Sequence, residues 1–146
     1  MQYASFGKRA VAYIIDSVIV GLIAGIPIGC LIGITTAFAM QMSEEAYIIA
    51  IIAISLIAVF WAIVASILYF AIMWSRTGQT LGKKWLGIKV VTAEWIPPSF
   101  WRAAGRAVIG YWLSDLVFGL GFLWMLWDDY QQCWHDKLFS TYVIEA

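Results

Sequence analysis

Charge is scarce in this chain. Only 12% of its 146 residues are Asp, Glu, Lys or Arg, and 63% are hydrophobic. A water-soluble domain carries roughly twice that charge, so a soluble globular protein is excluded. Nine cationic and nine acidic side chains cancel formally. With no net positive field, nucleic acid is not an expected partner. Cysteine is limited to Cys30 and Cys133, too few and too far apart for a disulfide framework or a zinc set. His135 is the only histidine. No nucleophile, base and orienting group stand in a recognisable arrangement, so an enzyme is not expected, nor is a cofactor or a metal.

Long apolar runs and nine tryptophans are what the chain does have. A membrane span needs about 20 apolar residues. Segment one runs from about Ala10 to Met40 and is divided by Pro27, which predicts a tilted helix kinked there. Ala37-Phe38-Ala39 resembles a signal-peptide cleavage site, but the run before it is too long for a signal core, so a retained anchor is expected. Gln41-Met-Ser-Glu-Glu45 is a polar link, with Ser43 placed to cap the next helix. Segment two runs from about Ala46 to Trp74 without a charge, and only Ser55 and Ser66 interrupt its apolar character. Segment three runs from about Ala103 to Trp127 and either crosses once or turns back near Ser114–Gly121. The expected architecture is an all-α membrane protein, a small single-domain bundle of two long transmembrane helices, a basic interfacial segment and this third element.

The interfacial segment, Ser75 to Gly105, is where Arg76, Lys83, Lys84, Lys89 and Arg102 gather, with Arg106 just beyond. Trp74, Trp85, Trp95 and Trp101 punctuate it, as tryptophans do at a membrane surface. Lys83, Lys84, Arg102 and Arg106 are therefore expected to contact lipid headgroups, with pairing of the last two to Asp115 or Asp136 as the alternative. Ile88–Thr92 reads as a short strand, and Ser99 as the cap of the following helix. Leu81–Val91 faintly echoes Trp134–Ile144. Should the two pair as strands, they share one side and segment three must return. Lys8, Arg9 and the basic middle orient the chain with its N-terminus cytoplasmic, in the cytoplasmic (inner) membrane.

Two features of segment one stand out. Asp16 lies in the apolar run Ala10-Val-Ala-Tyr-Ile-Ile-Asp16-Ser-Val-Ile-Val20. An ionised carboxylate costs about 2.5–3.5 kcal/mol in such a run on insertion scales. Arg9, two helical turns earlier, shares its face, with Cα atoms about 10 Å apart. A third group between them fits better than a direct pair. The set reads as a proton or monovalent-cation site, or as a structural ion pair fixing helix packing. Gly21, Gly25, Gly29 and Gly33 then form overlapping small-xxx-small steps on nearly the opposite face. That stripe predicts close helix packing in a homo-oligomer, a dimer being favoured.

Other motifs carry less. Gly78-Gln-Thr-Leu-Gly82-Lys83 falls one residue short of a phosphate loop and has Lys84 where Ser or Thr belongs. Asp128, Asp129, Cys133, His135 and Asp136 lack zinc-motif spacing and read as a polar tail, with a pH-sensing role open to His135.

Phe6-Gly-Lys-Arg9-Ala-Val-Ala-Tyr-Ile-Ile-Asp16, Gly78-Gln-Thr-Leu-Gly-Lys-Lys-Trp-Leu-Gly-Ile-Lys-Val-Val91 and His135-Asp136-Lys-Leu-Phe-Ser-Thr-Tyr-Val143 together resemble the RDD family of small integral membrane proteins. The resemblance places the family's arginine on Arg9 and its two aspartates on Asp16 and Asp136. It departs from the family at Phe139-Ser140-Thr141, where relatives often have Ala-Gly-Thr, and before His135, where they often have basic residues. It implies a link to cation/proton exchange in some members and to assembly of membrane complexes in others. It also supplies Asp136 as the third group for the Arg9–Asp16 gap.

Overall fold

The computed structural model describes residues 2–146. Two long helices dominate, α1 (Phe6–Ala37) and α2 (Glu44–Thr77), joined through a 3₁₀ turn at Ala39–Gln41. Both are long and apolar enough to cross a membrane. Pro27 is accommodated inside α1 without ending it. Ser43 accepts the Ala46 amide, and Glu44 and Glu45 occupy the first turn of α2, where acidic side chains suit the helix dipole.

The chain divides into two compact units. Val18–Ser66 holds the distal part of both long helices. Its large side chains face outward: Ile26, Ile49 and Phe60 are 62%, 67% and 70% exposed. Such a surface suits hydrocarbon rather than water. From Val18 to the end of α1 the helix rises about 30 Å, the thickness of a bilayer core. Asp16 lies just before that stretch.

The second unit combines Met1–Ser17 with Ile67–Ala146. After α2 come α3 (Leu81–Trp85) and β1 (Ile88–Thr92). Ser99 caps α4 (Phe100–Gly105) by accepting the Arg102 amide, as its position after Pro97-Pro98 predicts. Helix continues through a π turn at Arg106–Gly110 into α5 (Tyr111–Asp115). The chain then turns at Phe118 and Gly119, both at positive φ, into α6 (Leu120–Leu123) and a 3₁₀ turn at Trp124–Leu126. The two arms of segment three meet at a bend of 104°. Gly119, at φ 75°, permits this reversal without the Cβ strain other residues meet there.

The tail forms α7 (Trp134–Leu138) and β2 (Thr141–Glu145). β1 and β2 pair antiparallel, Ile88 opposite Glu145 through Thr92 opposite Thr141. Tyr3 bridges Ile144, and the Ala4 amide bonds the Val143 carbonyl. The N-terminal segment, the basic middle and the tail are thus hydrogen-bonded together. The faint echo between Leu81–Val91 and Trp134–Ile144 falls on these paired strands, and segment three accordingly returns.

Trp74 departs from expectation. It is wholly buried, a wall of the polar unit, whereas Trp85 and Trp101 are exposed as an interfacial role requires.

Candidate functional site

Both aspartates of the three-residue pattern are completely buried, and they have opposite surroundings. Asp136 is the anchor of a cationic cluster. Its Oδ2 accepts Arg9 Nη1 at 2.9 Å and the Cys133 amide at 3.2 Å. Its Oδ1 accepts Arg106 Nη2 at 2.5 Å, Arg106 Nε at 3.2 Å and the Thr141 hydroxyl at 3.3 Å. Burial alone would raise this carboxyl's pKa. The Arg106 and Arg9 guanidiniums outweigh that and hold Asp136 well below the usual carboxylate range.

Asp16 has no guanidinium. Thr80 donates its hydroxyl to Oδ2 at 2.5 Å, and Tyr69 donates to Oδ1 at 2.8 Å. The Gly82 amide donates to Oδ1 at 2.9 Å. Thr80 also caps α3 through the Lys83 amide, so the motif set aside as a broken phosphate loop is the cradle of a carboxylate. Gly82 is required there: a Cβ would collide with the Ala12 carbonyl oxygen and lie 3.0 Å from Asp16 Oδ1.

Arg9 and Asp16 share a helix face, yet Arg9 turns the other way. Its Nε donates to the Ala4 carbonyl at 3.1 Å and its Nη2 to the Val143 carbonyl at 3.2 Å. Side chains on a helix lean toward its N-terminus, which carries Arg9 away from a carboxylate seven residues further on. The structure therefore resolves the expected trio into an Arg9–Asp136–Arg106 cluster and a separate Asp16 cradle.

Two of the expected headgroup contacts are corrected. Lys83 is 4% exposed and Arg106 is 1% exposed. Lys83 is carried inward by α3, while Arg106 is claimed by Asp136 and stacked 4.4 Å from the Trp74 ring centroid. Lys84 and Arg102 are exposed, as that role needs. Segment two also contributes more than its lack of charge suggests, because Tyr69 reaches Asp16. The glycine stripe lies bare: a Cβ at Gly21, Gly25, Gly29 or Gly33 would meet nothing within 4 Å.

Cys133, His135 and Asp136 converge with ligand atoms within 4.8 Å of one another. This is no place for a metal cation, since both Asp136 oxygens are taken by guanidiniums. The thiol is pushed up to about 12, mainly by burial, and donates to the Phe122 carbonyl. Burial likewise pushes His135 down to about 3, despite the Asp136 charge, which removes it as a sensor near neutral pH. Ser114, His135 and Asp136 stand in series, but Ser114 donates its single hydroxyl proton to the Gly110 carbonyl. The His135 Nδ1 contact at 2.9 Å must then be an N–H donating to Ser114, the reverse of what a general base would do.

A cavity of about 180 Å³ opens beside these groups. Arg9, Lys83 and Arg106 are among its lining residues, and Phe6, Tyr13, Phe122 and Met125 contribute apolar surface.

The family model described as the RDD family matches residues 3–140. A relative from Bacillus subtilis (strain 168), "Uncharacterized protein YxaI", is 31% identical over 147 residues, covering 97% of this chain and 96% of its own length. No solved structure matches the chain.

Proposed function

This chain belongs to the RDD family, a family of membrane proteins, and from that premise we propose that it exchanges protons for a monovalent cation at Asp16. The observation that carries the reading is the division of labour between its aspartates. Asp136 is locked as an anion by two arginines. Asp16 is held only by neutral donors and forms no ion pair with any described residue. A carboxylate held this way can gain or lose a proton without breaking a salt bridge. Its oxygens and the hydroxyls of Thr80 and Tyr69 form a hard oxygen set suited to a small cation. One proton leaving as one cation enters keeps the local charge constant. Arg9 and Asp136 hold the frame behind this exchange. The N-terminus faces the cytoplasm of a cell whose inner membrane the protein occupies, in keeping with Lys8, Arg9 and the basic segment on one side.

The test is flux in sealed liposomes bearing a pH gradient. Addition of sodium or potassium should dissipate the gradient with the wild-type protein and not with Asp16→Asn. Absence of cation-driven proton movement in the wild type refutes the proposal.

The bare glycine stripe favours a second reading, an assembly module whose α1 packs against a second copy or another membrane helix. Gly25→Leu should then abolish crosslinked oligomers. Unchanged crosslinking counts against it.

A further inference from the structure

The buried charges of the polar unit do not balance. Arg9, Lys83 and Arg106 are buried cations; Asp16 and Asp136 are the buried carboxylates among the described residues. His135 is neutral, so one positive charge is in excess. Two observations locate that excess. Arg106 Nη1 is buried and without a hydrogen-bond partner. The Lys83 ammonium takes part in none of the ion pairs formed by the described residues. Both side chains line the cavity. Arg9 is different, because each of its nitrogens already has an acceptor in Asp136, Ala4 or Val143. The Trp74 ring, 4.4 Å from Arg106 and 5.8 Å from Lys83, supports the cations through its face but offers no anionic acceptor.

The rest of the lining is largely apolar. Phe6, Ala10, Tyr13, Phe122 and Met125 surround a space of about 180 Å³. A dry cavity of about 150 Å³ holds benzene in an unrelated protein. We propose that this cavity binds a small organic monocarboxylate with a compact apolar body, its carboxylate received by Lys83 Nζ in the field of the neighbouring Arg106 guanidinium and its body by the aromatic wall. A single negative charge matches the single excess. Inorganic phosphate would bring more charge than is needed and leave oxygens facing apolar carbon. The site is distinct from the Asp16 cradle, and the single excess is counted with Asp16 carrying neither a bound proton nor a bound cation.

The experiment titrates the full chain in nonionic detergent with benzoate, benzyl alcohol, acetate and inorganic phosphate, following heat. Benzoate should bind saturably and roughly tenfold or more tighter than benzyl alcohol, which has the body without the charge. Acetate, with the charge and little body, should also bind more weakly. Lys83→Met should weaken benzoate by about tenfold or more while leaving benzyl alcohol nearly unchanged. Lys83→Gln replaces it should that variant fail to fold, and the wild-type ligand series decides by itself. The proposal is overturned if benzoate binds no tighter than benzyl alcohol, if phosphate displaces benzoate at lower concentration than acetate does, or if neither Lys83 variant alters benzoate binding.

Discussion

Replacing Asp136 by Asn keeps the shape of the side chain and removes its charge. In the wild type that one carboxylate faces two guanidiniums, of Arg106 at 1% and Arg9 at 10% side-chain exposure. Breaking a buried ion pair from one side costs about 3–5 kcal/mol, because the abandoned charge has no water to return to. Arg106 meets that description fully and Arg9 nearly so. The expected loss is about 4 kcal/mol, a large part of the ~5–15 kcal/mol that holds a domain together. The assay is reversible denaturation in mixed micelles across a range of pH. Asp136 has a depressed folded pKa, so its contribution is complete above the unfolded value near 4 and disappears as the pH falls through the folded value. His135, buried neutral at about 3, adds its own loss below about pH 6.5 to both proteins. The difference between wild type and Asp136→Asn should therefore be flat near neutrality and shrink below about pH 4. Arg106→Met added to Asp136→Asn should recover part of the loss, since it removes the more deeply stranded charge. A cost under about 1 kcal/mol for Asp136→Asn, the range of an exposed pair, would refute the reasoning.

Three further outcomes are expected. Lys83 is pushed down to about 8, chiefly by burial and then by the Arg106 charge, so holding it charged at pH 7 costs about 3 kcal/mol. Lys83→Met should be more stable than wild type at neutral pH, and the advantage should fade as the pH rises from about 8 toward the ordinary value of 10.5; no change in thermal midpoint at pH 7 opposes this. Gly82→Ala should lose about 1–3 kcal/mol by forcing a methyl against the Ala12 carbonyl and Asp16, read by thermal unfolding, and a neutral result contradicts the cradle geometry. Because the Glu145 amide bonds the Gln2 carbonyl, thiols introduced by Gln2→Cys and Ala146→Cys should react with an impermeant reagent from the same side of sealed vesicles, and opposite accessibility rules out the paired termini.

The elements with local signals are those the sequence made legible. The two long helices are uninterrupted apolar runs, and Ser43 and Ser99 cap helices through amides three residues away. Even the β1–β2 pairing left a trace in the echo of one strand region in the other. The Asp16 cradle left much less. Tyr69, Thr80 and Gly82 lie 53 to 66 residues from Asp16 and bring no charge to advertise a partner. Arg106 misleads for a different reason. A cation near the start of a helix is disfavoured by the dipole, so a solvent or headgroup role is the natural local reading. Only the arrival of α7, 30 residues later, supplies Asp136. The direction taken by Arg9 was available from helix geometry, because the backward lean of Cβ favours partners on the N-terminal side.

The closure of the chain on itself has a consequence for synthesis. Arg9 and Asp136 are separated by 127 residues. At about 5–20 residues per second, the arginine emerges roughly 6–25 s before its carboxylate. The tail strand that accepts Arg9 Nη2 and the Ala4 amide is made later still. For most of that interval the first helix is complete while the Asp136 anchor and the tail strand do not yet exist. Arg9 must spend it against water or lipid phosphate, and a chain stopped before residue 136 retains both long helices and the Asp16 cradle but lacks the carboxylate that anchors Arg9 and Arg106. Residues 136–143 thus complete the seating of the first helix, which everything made before them leaves unfinished.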